Sequence, residues 1–235
     1  MKEIYEANVK NVKEVKKQAN AIKRLLNQSL KDNRVCEIEA LTKTYTLMYS
    51  AYAEVSFQKL IHTPYGFSEE YIRQIESGRN LEAKWIKCME LAIKQIEHGA
   101  NKGEVANKLK WLEEIMDKYI IHPSQIRNKI AHGQWSVCLN NDCTKINNDM
   151  TAELATLDFV EVEKLFVIYE IFVQCVEDLI ESPYKAHYRD FYCNLVELEE
   201  FIKKTKDYTM ETKRNKLKSS IKYLSFSEKL AKKKV

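Results

Sequence analysis

Apolar residues recur every three or four positions along almost the whole chain, with charged residues between them. Ile4, Val9, Val12, Val15, Ile22, Leu25 and Leu26 mark such a stripe over residues 2–31. That spacing lines one side of a helix with 3.6 residues per turn. The pattern breaks at the sequence LKDNR. A second long helix is predicted over 35–61, carried by Val35, Ile38, Leu41, Tyr45, Met48, Tyr52, Val55 and Leu60. Pro64 lacks an amide donor and Gly66 frees the backbone, so the helix ends there. Ser68 with Glu69 and Glu70 behind it reads as the next helix start. Two more stripes follow. Leu81, Trp85, Cys88, Met89, Leu91, Ala92 and Ile96 predict a helix over 80–97, and Val105, Leu109, Leu112, Met116 and Tyr119 one over 104–121.

Pro123 is expected to interrupt the helical run, with a short helix following through Ile126 and Ile130. Gly133 stands where a left-handed cap residue belongs. After it the period changes: QWSVCL and CTKIN read as two short strands joined by a polar turn. A long helix over 158–182 opens with Asp158-x-x-Glu161, a capping-box spacing. Its apolar residues lie almost all round, which places it at the centre of the core. Pro183 ends it, and a last helix covers 184–205. The fold class predicted is all-α: one helical-bundle domain over 1–205 with a small β-hairpin insertion at about 134–147, then a basic tail over 206–235.

Composition agrees. Gly (5) and Pro (3) are scarce, and 45% of residues are apolar, which favours helices around a sizeable core. No apolar run approaches a membrane span. The start, MKEIYEANVKNVKEVKK, has no apolar signal-peptide core. Six cysteines, at 36, 88, 138, 143, 175 and 193, fall largely inside apolar patterns, as expected of reduced thiols in a cytoplasmic protein. Charge adds one feature. Residues 203–235 hold twelve Lys/Arg against three Asp/Glu, while the whole chain is only +4. Such a segment suits a polyanion partner, and it reads equally as a solvated end.

The stretch IRNKIAHGQW, residues 126–135, carries the candidate chemistry. Asn128 and His132, at i and i+4, share a helical face, and Arg127 borders it, so the three are expected to reach one cleft. Histidine exchanges protons near neutrality, and arginine offers a fixed charge and a planar fork of donors that fits phosphate. The set suits RNA cleavage. His132 would move a proton to or from the reacting oxygens, and Arg127 would stabilise charge on the phosphoryl group. That chemistry needs no metal and no cofactor. The purely structural alternative has Arg127 paired with an acid, Asn128 bonded to backbone and His132 capping the helix.

The motif RNKIAH at 127–132, with Asn after the Arg, resembles the R-x4–6-H motif of the HEPN superfamily. The resemblance implies a helical bundle with the motif late in the chain, catalytic roles for Arg127 and His132, and a supporting role for Asn128. It also implies a homodimer in which two motifs meet, and a metal-independent endoribonuclease of toxin–antitoxin or phage-defence systems with an antitoxin or defence-complex partner. In one toxin branch a Tyr two residues after the His is nucleotidylated; this chain has Gln134 there. Some members lack nuclease activity. The alternative is therefore a non-catalytic RNA- or nucleotide-binding or regulatory subunit, and a third reading is a helical scaffold.

Lys129, His122 and Trp135 are candidate substrate contacts around this motif. Trp135 suits base stacking or packing of the hairpin onto the bundle. His122, just before Pro123, either touches substrate or stands at a helix start. Cys138 and Cys143 with His132 lack a convincing fourth zinc ligand, so no metal site is assigned.

Overall fold

The computed structural model describes residues 2–96, 102–181, 183 and 187–219. The helices are α1 (Lys2–Asp32), α2 (Val35–Ile61), α3 (Glu69–Glu76), α4 (Leu81–Ile96), α5 (Lys102–Met116), α6 (His122–Ala131), α7 (Asn148–Ala155), α8 (Phe159–Glu181), α9 (Tyr192–Thr205) and α10 (Met210–Ser219). Single π turns at Asp117–Ile121 and His187–Phe191 lead into α6 and α9. The fold is all-α. No helix among the described residues is long and apolar enough to cross a membrane.

Helix α8 is the centre. It packs against α2, α4, α9 and α10, and its Phe159, Tyr169, Phe172, Val176, Leu179 and Ile180 are almost wholly buried. The α2 stripe Tyr45, Tyr49, Tyr52 meets Phe159, Phe166 and Tyr169 of α8 ring against ring. Tyr45 stacks on Phe166 at 4.9 Å, and Tyr49 meets Tyr169 edge-on at 6.1 Å. Such pairs add about 1 kcal/mol each beyond the area they bury. Trp85 of α4 closes the layer against Phe57 and Phe172.

Pro123 does not interrupt the helix as expected. The chain continues from α5 into α6 through the π turn, closed by the His122 N–H donating to the Asp117 carbonyl. Proline cannot donate to the carbonyl four residues back, here that of Tyr119. The Tyr49 hydroxyl donates to that carbonyl instead, at 3.0 Å. The wider turn and a borrowed donor absorb the defect.

The expected hairpin is absent: among the described residues there is no strand, and 134–147 makes one antiparallel bridge, Leu139 to Ile146. Asn140 and Asn147 explain why. The Asn140 side-chain oxygen accepts from the Thr144 and Lys145 amides, and Asn147 caps α7 by accepting from the Met150 amide. These side chains capture amides in the turn and at the helix start, leaving no room for a longer ladder. The basic segment also differs from a simple tail over its first part. Residues 210–219 are α10, packed on α1 and α8, with Thr209 capping it; 220–235 lie outside the described residues.

Glu163 of α8 holds α10 and α1 together. It bonds Lys213 and sits 2.5 Å from Lys23. Burial alone would raise the Glu163 pKa, but the two lysines reverse this and hold it below the ordinary 4.5. Replacing Glu163 by Gln leaves Lys213 buried without its counter-charge, so stability should fall by about 3 kcal/mol in urea unfolding. The pair Glu163→Leu with Lys213→Met should recover most of it. Because the folded pKa is the lower one, the wild-type advantage is full above pH 4.5 and is lost as pH falls through the folded value.

Candidate functional site

Helix α6 presents two different stripes. Ile120 of the preceding π turn and Pro123, Ser124 and Arg127 face inwards to a cavity shared with α2, α4 and α8. Gln125, Asn128, Lys129 and His132 face the other way, onto a wide depression floored by the 134–147 segment. Both sets have the i, i+3, i+4, i+7 spacing of one helical side. Asn128 and His132 therefore come together as expected, but Arg127 does not join them. His132 stands five positions after Arg127, which is about 140° round the helix, and adjacency to Asn128 does not close that gap.

The helix ends in a full Schellman cap. Gly133 has φ of 80°, its N–H bonds the Ile130 carbonyl, and the Gln134 N–H bonds the Lys129 carbonyl at 2.9 Å. The left-handed residue expected from the sequence is where the chain needs it. His132 is the cap residue itself and is exposed. No side-chain bond or ion pair holds its imidazole among the described residues.

The segment beyond the cap is fastened to α6 by the very residues that were candidate substrate contacts. Lys129 Nζ donates to the Leu139 carbonyl at 2.6 Å. Trp135 Nε1 donates to the Ile130 carbonyl at 3.0 Å, with Lys43 over its ring. Gln134 Oε1 accepts from the Leu139 amide. Beneath them Ile130, Cys138, Met150 and Leu154 form a small second core. Trp135 thus packs the segment onto the bundle, while the residue stays 40% exposed. His122 Nε2 lies 3.2 Å from Glu153 Oε1 of α7, on neither stripe. Cys143 is exposed on the turn and Cys138 buried. Among the described residues no three His, Cys, Asp or Glu side chains gather as metal ligands would.

The depression is large, about 1020 Å³, and rich in amides. Asn140, Asn147 and Gln134 are spent on the local backbone, leaving Gln125, Asn128, Asn141 and His132 as exposed groups. Amides offer donors and acceptors to base edges and ribose hydroxyls, and the imidazole can take or give a proton.

The inward cavity, about 270 Å³, was not anticipated. Trp85, Arg79 and Lys84 come from a segment distant in sequence, so no spacing announces them. Arg127 Nε and Trp85 Nε1 are both buried there without a hydrogen-bond partner.

Compared with known protein families, curated proteins and solved structures, the chain matches none. The local geometry is nonetheless open to test. A Cβ at Gly133 would meet nothing within 4 Å, so Gly133→Ala carries backbone strain alone. It should lower stability by about 1 to 2 kcal/mol, and Gly133→Asn by less, measured by thermal unfolding.

Proposed function

We propose that the chain is a HEPN-type endoribonuclease that cleaves RNA in the cytoplasm as a toxin or in phage defence. The observation that supports it is His132: exposed, without a side-chain partner, beside Asn128 at the lip of an amide-rich depression. In this reading a ribose 2′-hydroxyl attacks the adjacent phosphorus, the 5′-oxygen leaves, and a 2′,3′-cyclic phosphate forms. His132 accepts the hydroxyl proton or supplies one to the leaving oxygen. One chain offers one such imidazole on this face, and Arg127 lies round the helix from it. A two-fold homodimer supplies a second His132. A partner antitoxin or defence-complex subunit belongs to the same reading.

A second reading, a non-catalytic RNA- or nucleotide-binding or regulatory subunit, draws support from that separation of Arg127 from His132. Cleavage of labelled RNA in EDTA decides between them. The nuclease leaves cyclic-phosphate ends, and His132→Ala slows it at least about 100-fold with the thermal midpoint unchanged. Activity per chain falls on dilution in step with the dimer fraction measured by sedimentation. RNA bound but never cut by the wild type establishes the second reading.

A further inference from the structure

One edge of α8 meets a groove lined by the π turn before α6 and the last turn of α9. Leu165 and Ile168 of α8, Ile202 of α9 and Tyr119 of the turn give it an apolar floor, and its volume is about 330 Å³. Ile168 is buried, while Leu165, Ile202 and Tyr119 are only partly covered. The apolar surface of α8 therefore runs out towards solvent at this edge instead of ending beneath a neighbour.

Cations frame that floor. Lys118 comes from the turn, and Lys203 and Lys206 from the end of α9. All three are exposed, and none has a carboxylate within ion-pair distance among the described residues. Glu161, the acid in the lining, is already held by Lys164 at 2.6 Å. The groove thus joins an apolar strip, which gains by being covered, to a rim of one sign, which selects what covers it.

The chemistry narrows the occupant. The chain's own end, 220–235, holds five lysines against one glutamate and carries the wrong sign. RNA would meet the lysines but not the floor. The Thr205 hydroxyl is spent on the Phe201 carbonyl, which leaves bases and riboses little beyond the Tyr119 hydroxyl. A fatty acid has one anionic head, whereas the cations stand on two separate elements. An amphipathic helix sets aliphatic side chains at i, i+3, i+4 and i+7 along one side and flanks them with charges.

We propose that this groove docks an acidic amphipathic helix of a partner protein. Its aliphatic side chains cover Leu165, Ile168 and Ile202, and its carboxylates meet Lys118, Lys203 and Lys206. The groove shares no lining residue with the depression beside His132, so the inference does not depend on RNA cleavage.

Titrating the full chain into a labelled helical peptide, with leucines at i, i+3, i+4 and i+7 and glutamates elsewhere, tests this by fluorescence anisotropy. The peptide should bind saturably, more weakly as salt rises. It should also protect Lys118, Lys203 and Lys206 from acetylation, read by mass spectrometry. Lys203→Glu with Lys206→Glu should weaken binding at least about tenfold. Lys118→Glu, on the other element, should weaken it too, and these exposed changes should keep the thermal midpoint. Serine in place of the leucines should abolish binding. Equal binding of that serine peptide would overturn the proposal, because charge alone would then suffice. Laurate or single-stranded RNA protecting the three lysines where the leucine peptide does not would overturn it as well. So would loss of self-association in the charge-reversed variants, which makes a second copy the occupant, or the absence of any saturable signal up to about 1 mM peptide.

Discussion

A helix buried along most of its length must find a partner for each acid it buries, and α8 meets that constraint at Glu163, Glu177 and Asp178 by tying the bundle together. Glu163, Glu170 and Glu177 follow one another at seven-residue intervals, so they lie along one edge. Glu163 takes Lys23 of α1 and Lys213 of α10; Glu170 takes Lys16 of α1; Glu177 takes Lys59 and Thr63 at the end of α2. Lys16 and Lys23 repeat the same interval in the opposite sense, as an antiparallel neighbour must. Asp178, one step round, bonds Asn194 of α9 and Gln174; burial raises its pKa despite those bonds. The exposed Lys16–Glu170 pair contributes little to stability. The buried ones chiefly specify which helix lies where, because a wrong neighbour would strand a charge.

The same rule of pairing gives the α6 region its meaning. Pro123 removes a donor, and Tyr49 of α2 replaces it at Tyr119. That bond holds the α5–α6 junction on the aromatic stripe and sets the inward side of α6 facing Trp85. On the outward side, Lys129, Gln134 and Trp135 spend their polar groups on the segment after the cap. What is left unspent falls into two places with different chemistry: His132 with free amides outside, and two donors with three cations inside.

The long elements were legible in the sequence because each has a single stripe and a clear stop. The α2 boundaries, the Ser68 cap, the Asp158 cap and the left-handed Gly133 all follow from local chemistry. Helix α8 announced its central place by being apolar almost all round. Helix α7 was missed although Asn147 is a good cap residue; the β-branched and aromatic residues before it suggested strands, and side-chain capture by Asn140 decided otherwise. Residues 210–219 looked like a solvated basic end because Lys213 and Arg214 carry no sign in sequence of Glu163 and the Leu30 carbonyl that receive them. At the site, Asn128 and His132 were correctly paired by their i, i+4 spacing. Arg127 borders Asn128 in the helical pattern but lies about 140° round from His132, and the cavity it lines is assembled from α2, α4, α6 and α8, which no local pattern reveals.

The distribution of charge constrains any nucleic-acid role. Affinity for RNA comes largely from phosphate contacts, yet the depression beside His132 has Lys129 as its only lining Lys or Arg among the described residues, and its ammonium is already held by Leu139. The cations Arg79, Lys84 and Arg127, without ion-pair partners among the described residues, line the inward cavity instead. One chain therefore offers hydrogen bonding and proton transfer on one side of α6 and positive charge on the other. For phosphate and imidazole to act on the same ribose, charge must arrive beside His132 from another chain or another segment. That requirement follows from the geometry of a single helix, and pairing of chains is one of the two ways to meet it.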